Sequence, residues 1–256
     1  MKKILTVVAL LALVATIAYA GTTPGTGLVD SPHDMNKVTG LTADNQGRVC
    51  AFCHTPHHAV DLSGQYNPLW SHEPTAITGQ PYQSATFDAG AGFVDPLLGP
   101  SRLCMSCHDG AIAPDQHYGS ANVAPSGRFA SDDFAGYPSA VKNIAVGLGG
   151  KFTNDHPIGF DILQSATDTG IFATVPTTKT WLKGGVAGTK KISDWLYKNG
   201  AELIMTCATC HDVHNKDNVD NTAANGVAGH TDTVNLNYFV FAPQSGSQLC
   251  LSCHDK

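Results

Sequence analysis

CAFCHTPHHA, residues 50–59, places two cysteines and three histidines in ten positions. Cys50, Cys53 and His54 form a C-x-x-C-H motif, so two sulfur atoms and an imidazole leave the same short turn. His57 and His58 follow so closely that neither can serve the same metal in the same way as His54. The segment therefore predicts a cofactor site at the motif and a separate role for one of the two later histidines.

The cysteines of the whole chain repeat this motif. All 8 cysteines fall into pairs of identical spacing, and a histidine follows each pair. The four motifs are Cys50/Cys53 with His54, Cys104/Cys107 with His108, Cys207/Cys210 with His211, and Cys250/Cys253 with His254. C-x-x-C-H is the attachment signature of c-type haem, in which the cysteines form thioethers and the histidine ligates the iron. Disulfides and zinc sites also use paired cysteines, but neither requires a histidine after every pair. We therefore expect four covalently attached haems.

The first residues predict export. A short basic start, an apolar run from Ile4 to about Ala18 and an Ala-Tyr-Ala sequence have the layout of a secretory signal at residues 1–20, cleaved after Ala20. The apolar run is shorter than the roughly 20 residues that span a membrane. We expect a secreted protein at the cell surface or in the extracellular space, with the periplasm as the alternative. The formal charge of -6 gives no support for nucleic-acid binding, which requires a basic face.

The composition predicts a chain with little regular secondary structure. With 26 glycines and 14 prolines, the sequence is rich in turn formers and poor in helix formers. Gly-Gly and Asn-Gly turns between alternating runs predict one or two β-hairpins in residues 181–204, and residues 111–150 indicate a surface loop. The expected fold class is a multihaem cytochrome c, made mostly of loops with short helices at the motifs and organised by its haems.

The chain contains an internal repeat. GPSRLCMSCHD at residues 99–109 matches SGSQLCLSCHD at 245–255, and CAFCHTPH and CATCHDVH share the pattern C-A-x-C-H-x-x-H. A further histidine precedes each half, His33 in SPHDM and His156 in NDHPIGF. The repeat predicts two dihaem modules, residues 21–125 and 126–256.

Four histidines outside the motif positions occur in the same order in both modules. They are His33, His57, His156 and His214. Their number matches the four irons, so we expect a second histidine ligand at every iron and no methionine ligand. His58 is the alternative to His57. The histidines outside the repeat, His72, His117 and His230, are interpreted as exposed or hydrogen-bonded, and the tryptophans as packing residues.

Several motifs together carry a family resemblance. S-P-H-D, C-A-F-C-H-T-P-H, N-P-L-W, L-C-M-S-C-H-D-G, N-D-H-P-I-G-F and C-A-T-C-H-D-V-H-N span residues 31–254. Together they resemble the doubled-CxxCH family of exported multihaem cytochromes, and haem count and motif order are similar to the tetrahaem OmcE-type cytochromes. The resemblance implies extracellular filaments with a continuous haem stack, in which a histidine of one subunit ligates a haem of the next, the role that His57 matches. It also implies upstream periplasmic or membrane cytochromes and extracellular electron acceptors as partners.

The repeat also predicts which histidine serves which haem. His57 lies about one helical turn after His54, on the same side of the first haem, and must therefore ligate a different haem or none. By the same logic His214 cannot serve the haem of His211, and we expect it to ligate the haem of His108. His57 holds the equivalent position in the first module, so we expect it to ligate the haem of His254 in a neighbouring copy. This head-to-tail contact propagates as a filament unless it closes a ring. His33 and His156 then serve the haems of His54 and His211 in their own chain.

Three functions fit a tetrahaem chain. The first is electron transfer without catalysis as a subunit of a haem-stacked filament, and the second is a monomeric periplasmic tetrahaem shuttle. The third is a multihaem reductase of the nitrite or hydroxylamine class, which needs one iron with an open coordination position. Because the spare histidines suffice for every iron, we expect an electron-transfer protein and not an enzyme.

Overall fold

The computed structural model describes residues 28–29, 33–37, 42–57, 59–60, 66–72, 74–75, 77–84, 87, 95–109, 146–147, 150–165, 170–214 and 239–255. The predicted signal segment, most of the predicted surface loop and the predicted module boundary at residue 125 lie outside these ranges. So do His58, His117 and His230. All four C-x-x-C-H motifs lie inside them.

Regular secondary structure is sparse in the described residues. The helices are α1 (Pro100–His108), α2 (Ile162–Ser165), α3 (Cys207–Cys210) and α4 (Gln248–Leu251). Short 3₁₀ turns cover Val49–Phe52, Ile192–Trp195 and Ser245–Ser247. The longest helix, α1, begins at Pro100, where the fixed φ of proline suits the first helical turn and its missing N–H costs no hydrogen bond. None of the helices among these residues is long and apolar enough to cross a membrane.

Two antiparallel hairpins occupy the segment in which the sequence predicts one or two. Strands β1 (Thr180–Lys183) and β2 (Val186–Lys191) pair, and so do β3 (Tyr197–Asn199) and β4 (Glu202–Ile204). The first hairpin turns at Gly184 and Gly185, whose φ values of 62° and 80° match a two-residue turn that needs positive φ at both positions. Each hairpin is a separate two-stranded sheet.

The largest apolar cluster lies in the second half of the chain. Its buried members are Phe160, Ile162, Val175, Trp181, Ile192, Leu196, Met205, Ala242 and Cys253. Full burial of one large apolar side chain contributes roughly 1.5–3 kcal/mol. Because Cys253 belongs to this cluster, the fourth motif is anchored directly in the core.

The two predicted modules share backbone hydrogen bonds. The amide of Gln80 donates to the carbonyl of Gly150 (2.6 Å), and the amide of Phe152 donates back to Gln80 (3.0 Å). Farther along, the amide of Asp95 donates to the carbonyl of Gly159 (3.0 Å). A small buried cluster of Leu97, Met105 and Phe152 also combines both halves. The described residues of the two halves are therefore joined by backbone hydrogen bonds and by a shared apolar cluster.

Candidate functional site

Each C-x-x-C-H motif lies on a helical turn. The first motif starts in the 3₁₀ turn, the second ends helix α1, and the third and fourth lie on α3 and α4. In three motifs the amide of the histidine donates to the carbonyl of the first cysteine, at 2.8 Å for His54, 3.0 Å for His211 and 2.9 Å for His254. This turn gathers two sulfur atoms and one imidazole, the geometry that the sequence predicts for haem attachment.

The second residue between the two cysteines is buried in all four motifs. These residues are Phe52, Ser106, Thr209 and Ser252, with 2%, 0%, 0% and 0% exposure. The hydroxyl of Ser106 accepts a hydrogen bond from the indole N–H of Trp70 (3.1 Å). The hydroxyl of Ser252 accepts one from the amide of Leu182 on β1 (2.9 Å). This inward residue anchors the turn, so the sulfur atoms keep a fixed direction.

Three of the motifs each pair with a three-residue segment from elsewhere in the chain, and we call such a segment a brace. The braces are residues 69–71 for the first motif, 239–241 for the third and 170–172 for the fourth. The middle residue of each forms an isolated antiparallel bridge with the motif histidine: Trp70 with His54, Val240 with His211, and Ile171 with His254. The first residue of each has positive φ, 60° at Leu69, 61° at Phe239 and 95° at Gly170.

The braces hold their motifs through the same two backbone hydrogen bonds. In the first brace the amide of Thr55 donates to the carbonyl of Leu69 (2.8 Å), and the amide of Ser71 donates to the carbonyl of Cys53 (3.0 Å). The equivalent bonds measure 2.9 and 3.2 Å in the third motif and 2.9 and 2.9 Å in the fourth. A bond on either side of the motif histidine fixes its backbone and hence the direction of its ring.

Two imidazoles have one ring nitrogen held by a carbonyl. Nδ1 of His54 lies 2.8 Å from the carbonyl oxygen of Pro68, and Nδ1 of His156 lies 3.1 Å from that of Pro157. Because a carbonyl oxygen only accepts, Nδ1 must carry the proton and Nε2 presents its lone pair. Metal-ligating histidines commonly donate their second ring nitrogen in this way. The N-P-L-W sequence thus supports the first motif, because it supplies the Pro68 carbonyl and part of the first brace.

Three motif histidines each face a histidine from elsewhere in the chain. The ring centroids of His54 and His214 are 6.1 Å apart, those of His108 and His33 6.1 Å, and those of His254 and His156 6.3 Å. Metal–imidazole bonds are about 2 Å long, so two imidazoles on opposite sides of one iron place their centroids roughly 6 Å apart. The three spacings fit pairs of axial ligands.

These pairs differ from the ones that the repeat predicts. The repeat predicts His33 at the haem of His54, His214 at that of His108 and His156 at that of His211. In the structure, His33 lies beside His108 and His214 lies beside His54. The reason is that helices α1 and α3 pack together: the amide of Cys207 donates to the hydroxyl of Ser101 (3.1 Å), which brings the third motif against the second.

The fourth motif gives a second correction. His156 lies beside His254 in the same chain, with Phe152 and the following residues packed into the first half. The scheme in which the haem of His254 takes its second ligand from His57 of a neighbour stays a prediction, and His156 is the histidine that lies near His254 in its own chain. His57 itself is exposed, and within the described part of the chain its ring has no aromatic contact. The hydroxyl of Thr55 donates to the carbonyl of His57 (2.6 Å) and fixes the turn that carries it.

His33 lies where the second and third motifs meet. Burial, followed in order by the nearby His108, His211 and His214, lowers the pKa of His33 to about 3. The ring is therefore neutral at neutral pH, as a metal ligand must be. The structure thus places histidines of both modules at one junction.

The cysteines provide the sulfur chemistry. All eight lie in the described residues, and none forms a disulfide. Burial raises the pKa of Cys53 to about 11, of Cys210 to about 12 and of Cys253 to about 11. The contact with Cys207 and burial raise the pKa of Cys104 well above its usual value. These thiols are therefore protonated at neutral pH.

One histidine near the second motif was not expected to be buried. His72 is 1% exposed, and its Nε2 lies 3.5 Å from the sulfur of Cys107. Of the two sequence interpretations of His72, exposed or hydrogen-bonded, the structure shows the hydrogen-bonded one, but the cysteine partner was not predicted because His72 has no counterpart in the repeat. Its position immediately after N-P-L-W-S was the available signal.

The donor set indicates what the motifs can hold. Among the residues that the structure describes, no three His, Cys, Asp or Glu side chains gather as ligands of a bare metal ion. A haem iron needs only two ligands from the protein, because the porphyrin supplies the others. Two sulfurs, one motif histidine and one facing histidine fit a c-type haem at the first, second and fourth motifs. No protein-family model matches the chain, and no curated protein matches it.

Proposed function

We propose that this chain is an exported electron-transfer protein that carries four c-type haems, each ligated by two histidines. The observation that carries this proposal is the set of three histidine pairs with centroid distances of 6.1, 6.1 and 6.3 Å. Each pair joins a C-x-x-C-H histidine to a spare histidine far away in the sequence. An iron ligated by two histidines would bring such distant residues together.

The bound haems would supply reversible one-electron chemistry. The residues of the chain would hold and tune them: the cysteines would attach each ring, the histidines would ligate the iron, and three of the motif histidines would be held by their braces. Two histidines give a lower reduction potential than a histidine and a methionine. No residue is required to bind a substrate or transfer a proton, so the proposed function is not enzymatic.

The structure also bears on the alternative of a reductase. A multihaem reductase of the nitrite or hydroxylamine class needs an iron with an open position for its substrate. Three motif histidines already face a second histidine in the same chain. An open position is therefore left to the haem of His211 alone, and a histidine from another copy would close it.

We further propose that copies of the chain polymerise head to tail, with His57 ligating a haem of the next copy. The support is that His57 is exposed on a turn beside the first motif. Since His156 lies beside His254, we do not assign His57 to the fourth haem. A monomeric periplasmic shuttle is the second candidate, and it differs only in the source of one ligand. Partners would be upstream periplasmic or membrane cytochromes and an extracellular acceptor.

Electronic spectroscopy of the exported protein tests the proposed function. If two histidines cap each iron, the oxidised protein is low-spin at all four haems, and the reduced protein does not bind carbon monoxide. A stoichiometric high-spin haem that becomes low-spin on addition of nitrite would contradict the proposal and favour the reductase.

A further inference from the structure

The residue that follows each brace differs between the motifs. It is His72 after the brace of the first motif, Ala242 after the brace of the third motif and Ala173 after the brace of the fourth motif. His72 and Ala242 are both buried, each with 1% exposure. Ala242 shares the main apolar cluster with Cys253 of the fourth motif, just as His72 contacts Cys107 of the second. The two modules therefore have the same arrangement, but only the first places an imidazole against the sulfur.

His72 is held firmly against the second motif. The preceding residue, Ser71, donates its hydroxyl to the carbonyl of Ala51 (2.7 Å) and its amide to the carbonyl of Cys53 (3.0 Å). Trp70 donates its indole N–H to Ser106, which lies next to Cys107 (3.1 Å). The three consecutive residues Trp70, Ser71 and His72 thus join the first motif to the second. Their burial and these bonds leave the His72 ring little freedom to leave the sulfur.

The chemistry of attachment fixes the direction of the contact. A cysteine sulfur in a thioether has no proton, so it can only accept a hydrogen bond. Nε2 of His72, 3.5 Å from the Cys107 sulfur, is then the donor. This distance falls within the range of hydrogen bonds to sulfur, which are longer than those to oxygen.

We propose that His72 donates a hydrogen bond to the thioether sulfur of Cys107 and thereby raises the reduction potential of the second haem. This inference rests on the proposed function, because it concerns a haem at the second motif. Reduction adds an electron to the haem, and the positive end of an N–H dipole stabilises the added negative charge. Burial strengthens the effect because water does not screen it. Hydrogen bonds around a haem and its burial are among the means by which a protein tunes the potential of the iron.

Two variants separate the hydrogen bond from the volume of the ring. His72→Phe fills the site without a donor, and His72→Gln restores a donor at about the same distance from the backbone. In a spectroelectrochemical titration, we expect His72→Phe to shift one of the four midpoint potentials to a lower value and leave three unchanged. His72→Gln should return that midpoint towards its original value. Ser71→Ala is the matched control, because it loosens the same segment by one hydrogen bond to the first motif without touching the sulfur of Cys107, and it should leave unmoved the midpoint that His72→Phe shifts.

The outcomes distinguish this inference from the proposed function. Four attached haems with low-spin spectra in every variant would leave the proposed function intact. With those spectra, an unchanged set of midpoints in His72→Phe would overturn the role of His72. An equal shift of all four midpoints, or the same shift in Ser71→Ala, would also overturn it, because a general loosening would then explain the change. Failure of the parent protein to attach haem would instead contradict the proposed function.

Discussion

In His54 and His156, Nδ1 bonds to a backbone carbonyl of the protein, and Nε2 is left for a ligand. The acceptors, Pro68 and Pro157, are backbone carbonyls, so the tautomer depends on the path of the chain and not on a partner side chain. The motif histidines could be identified from the sequence because the spacing C-x-x-C-H is itself the signal. The carbonyl acceptors could not, since any residue type supplies a carbonyl.

Replacement of His156 distinguishes the observed pairing from the one that the repeat predicts. We expect His156→Ala to retain four haems and to make one of them high-spin, because His254 loses its facing imidazole. The same replacement in a chain that also carries Cys250→Ala and Cys253→Ala, and therefore lacks the fourth haem, should show no high-spin haem. Electron paramagnetic resonance of the oxidised proteins makes the comparison. If the high-spin signal persists in the three-haem chain, His156 serves another haem, such as that of His211.

The bond between Trp70 and Ser106 allows a double-mutant test of the link between the first two motifs. Ser106→Ala leaves a buried indole N–H without an acceptor, and we expect it to lower the free energy of unfolding by about 1–3 kcal/mol. Combined with Trp70→Phe, which removes the donor, the loss should be smaller than the sum of the two single losses. Denaturant unfolding of the four proteins measures this difference. Losses that simply add would show that the bond contributes nothing.

Among the elements, the braces were the least accessible to sequence analysis. Their sequences are Leu-Trp-Ser, Phe-Val-Phe and Gly-Ile-Phe, which share no side-chain chemistry. What they share is a positive φ at the first residue and two backbone bonds to a motif. The hairpins, in contrast, could be placed from their Gly-Gly and Asn-Gly turns, because a tight turn restricts the residue types that it accepts.

Gly159 connects elements of both halves and should not tolerate a side chain. Its amide donates to the carbonyl of Met205 (2.6 Å), and a Cβ at this position would overlap the carbonyl of Asp95. Gly184, at the exposed hairpin turn, is a matched control with φ of 62° and open space around it. We expect Gly184→Ala to cost about 1 kcal/mol from the left-handed backbone alone. Gly159→Ala should cost roughly 1–3 kcal/mol more.

Thermal unfolding of the two glycine variants measures this difference, with haem content as a check on maturation. Equal losses of stability in both variants would contradict the close contact between Gly159 and Asp95. The experiment therefore tests whether the two halves are joined at this point.

At the scale of the whole molecule, the repeat predicts the number of histidine ligands but not their partners. The repeat describes each module alone, whereas the contact between α1 and α3 brings His214 of the second half to His54 of the first. Tertiary contacts of this kind leave no local pattern in the sequence. For the same reason, sequence order alone did not reveal which residues join the two halves.

Polymerisation should depend on the exposed histidine beside the first motif. We expect His57→Ala to retain four haems, to make one haem per chain high-spin and to abolish filaments in negative-stain electron micrographs. If the adjacent His58 takes over the contact, only the double replacement of His57 and His58 by alanine will have these effects. Filaments that persist in the double variant would refute the role of His57. A parent protein that is monomeric, with all four haems low-spin, would favour the periplasmic shuttle.

The most direct test of the central claim is the mass of the exported protein under denaturing conditions. If all four C-x-x-C-H motifs carry haem, the mass is that of the processed chain plus four haems, and no cysteine reacts with an alkylating reagent. The eight thioether bonds survive denaturation, whereas a bound metal ion would be lost. A mass with fewer than four haems, or cysteines that alkylate with or without prior reduction, would contradict a tetrahaem protein.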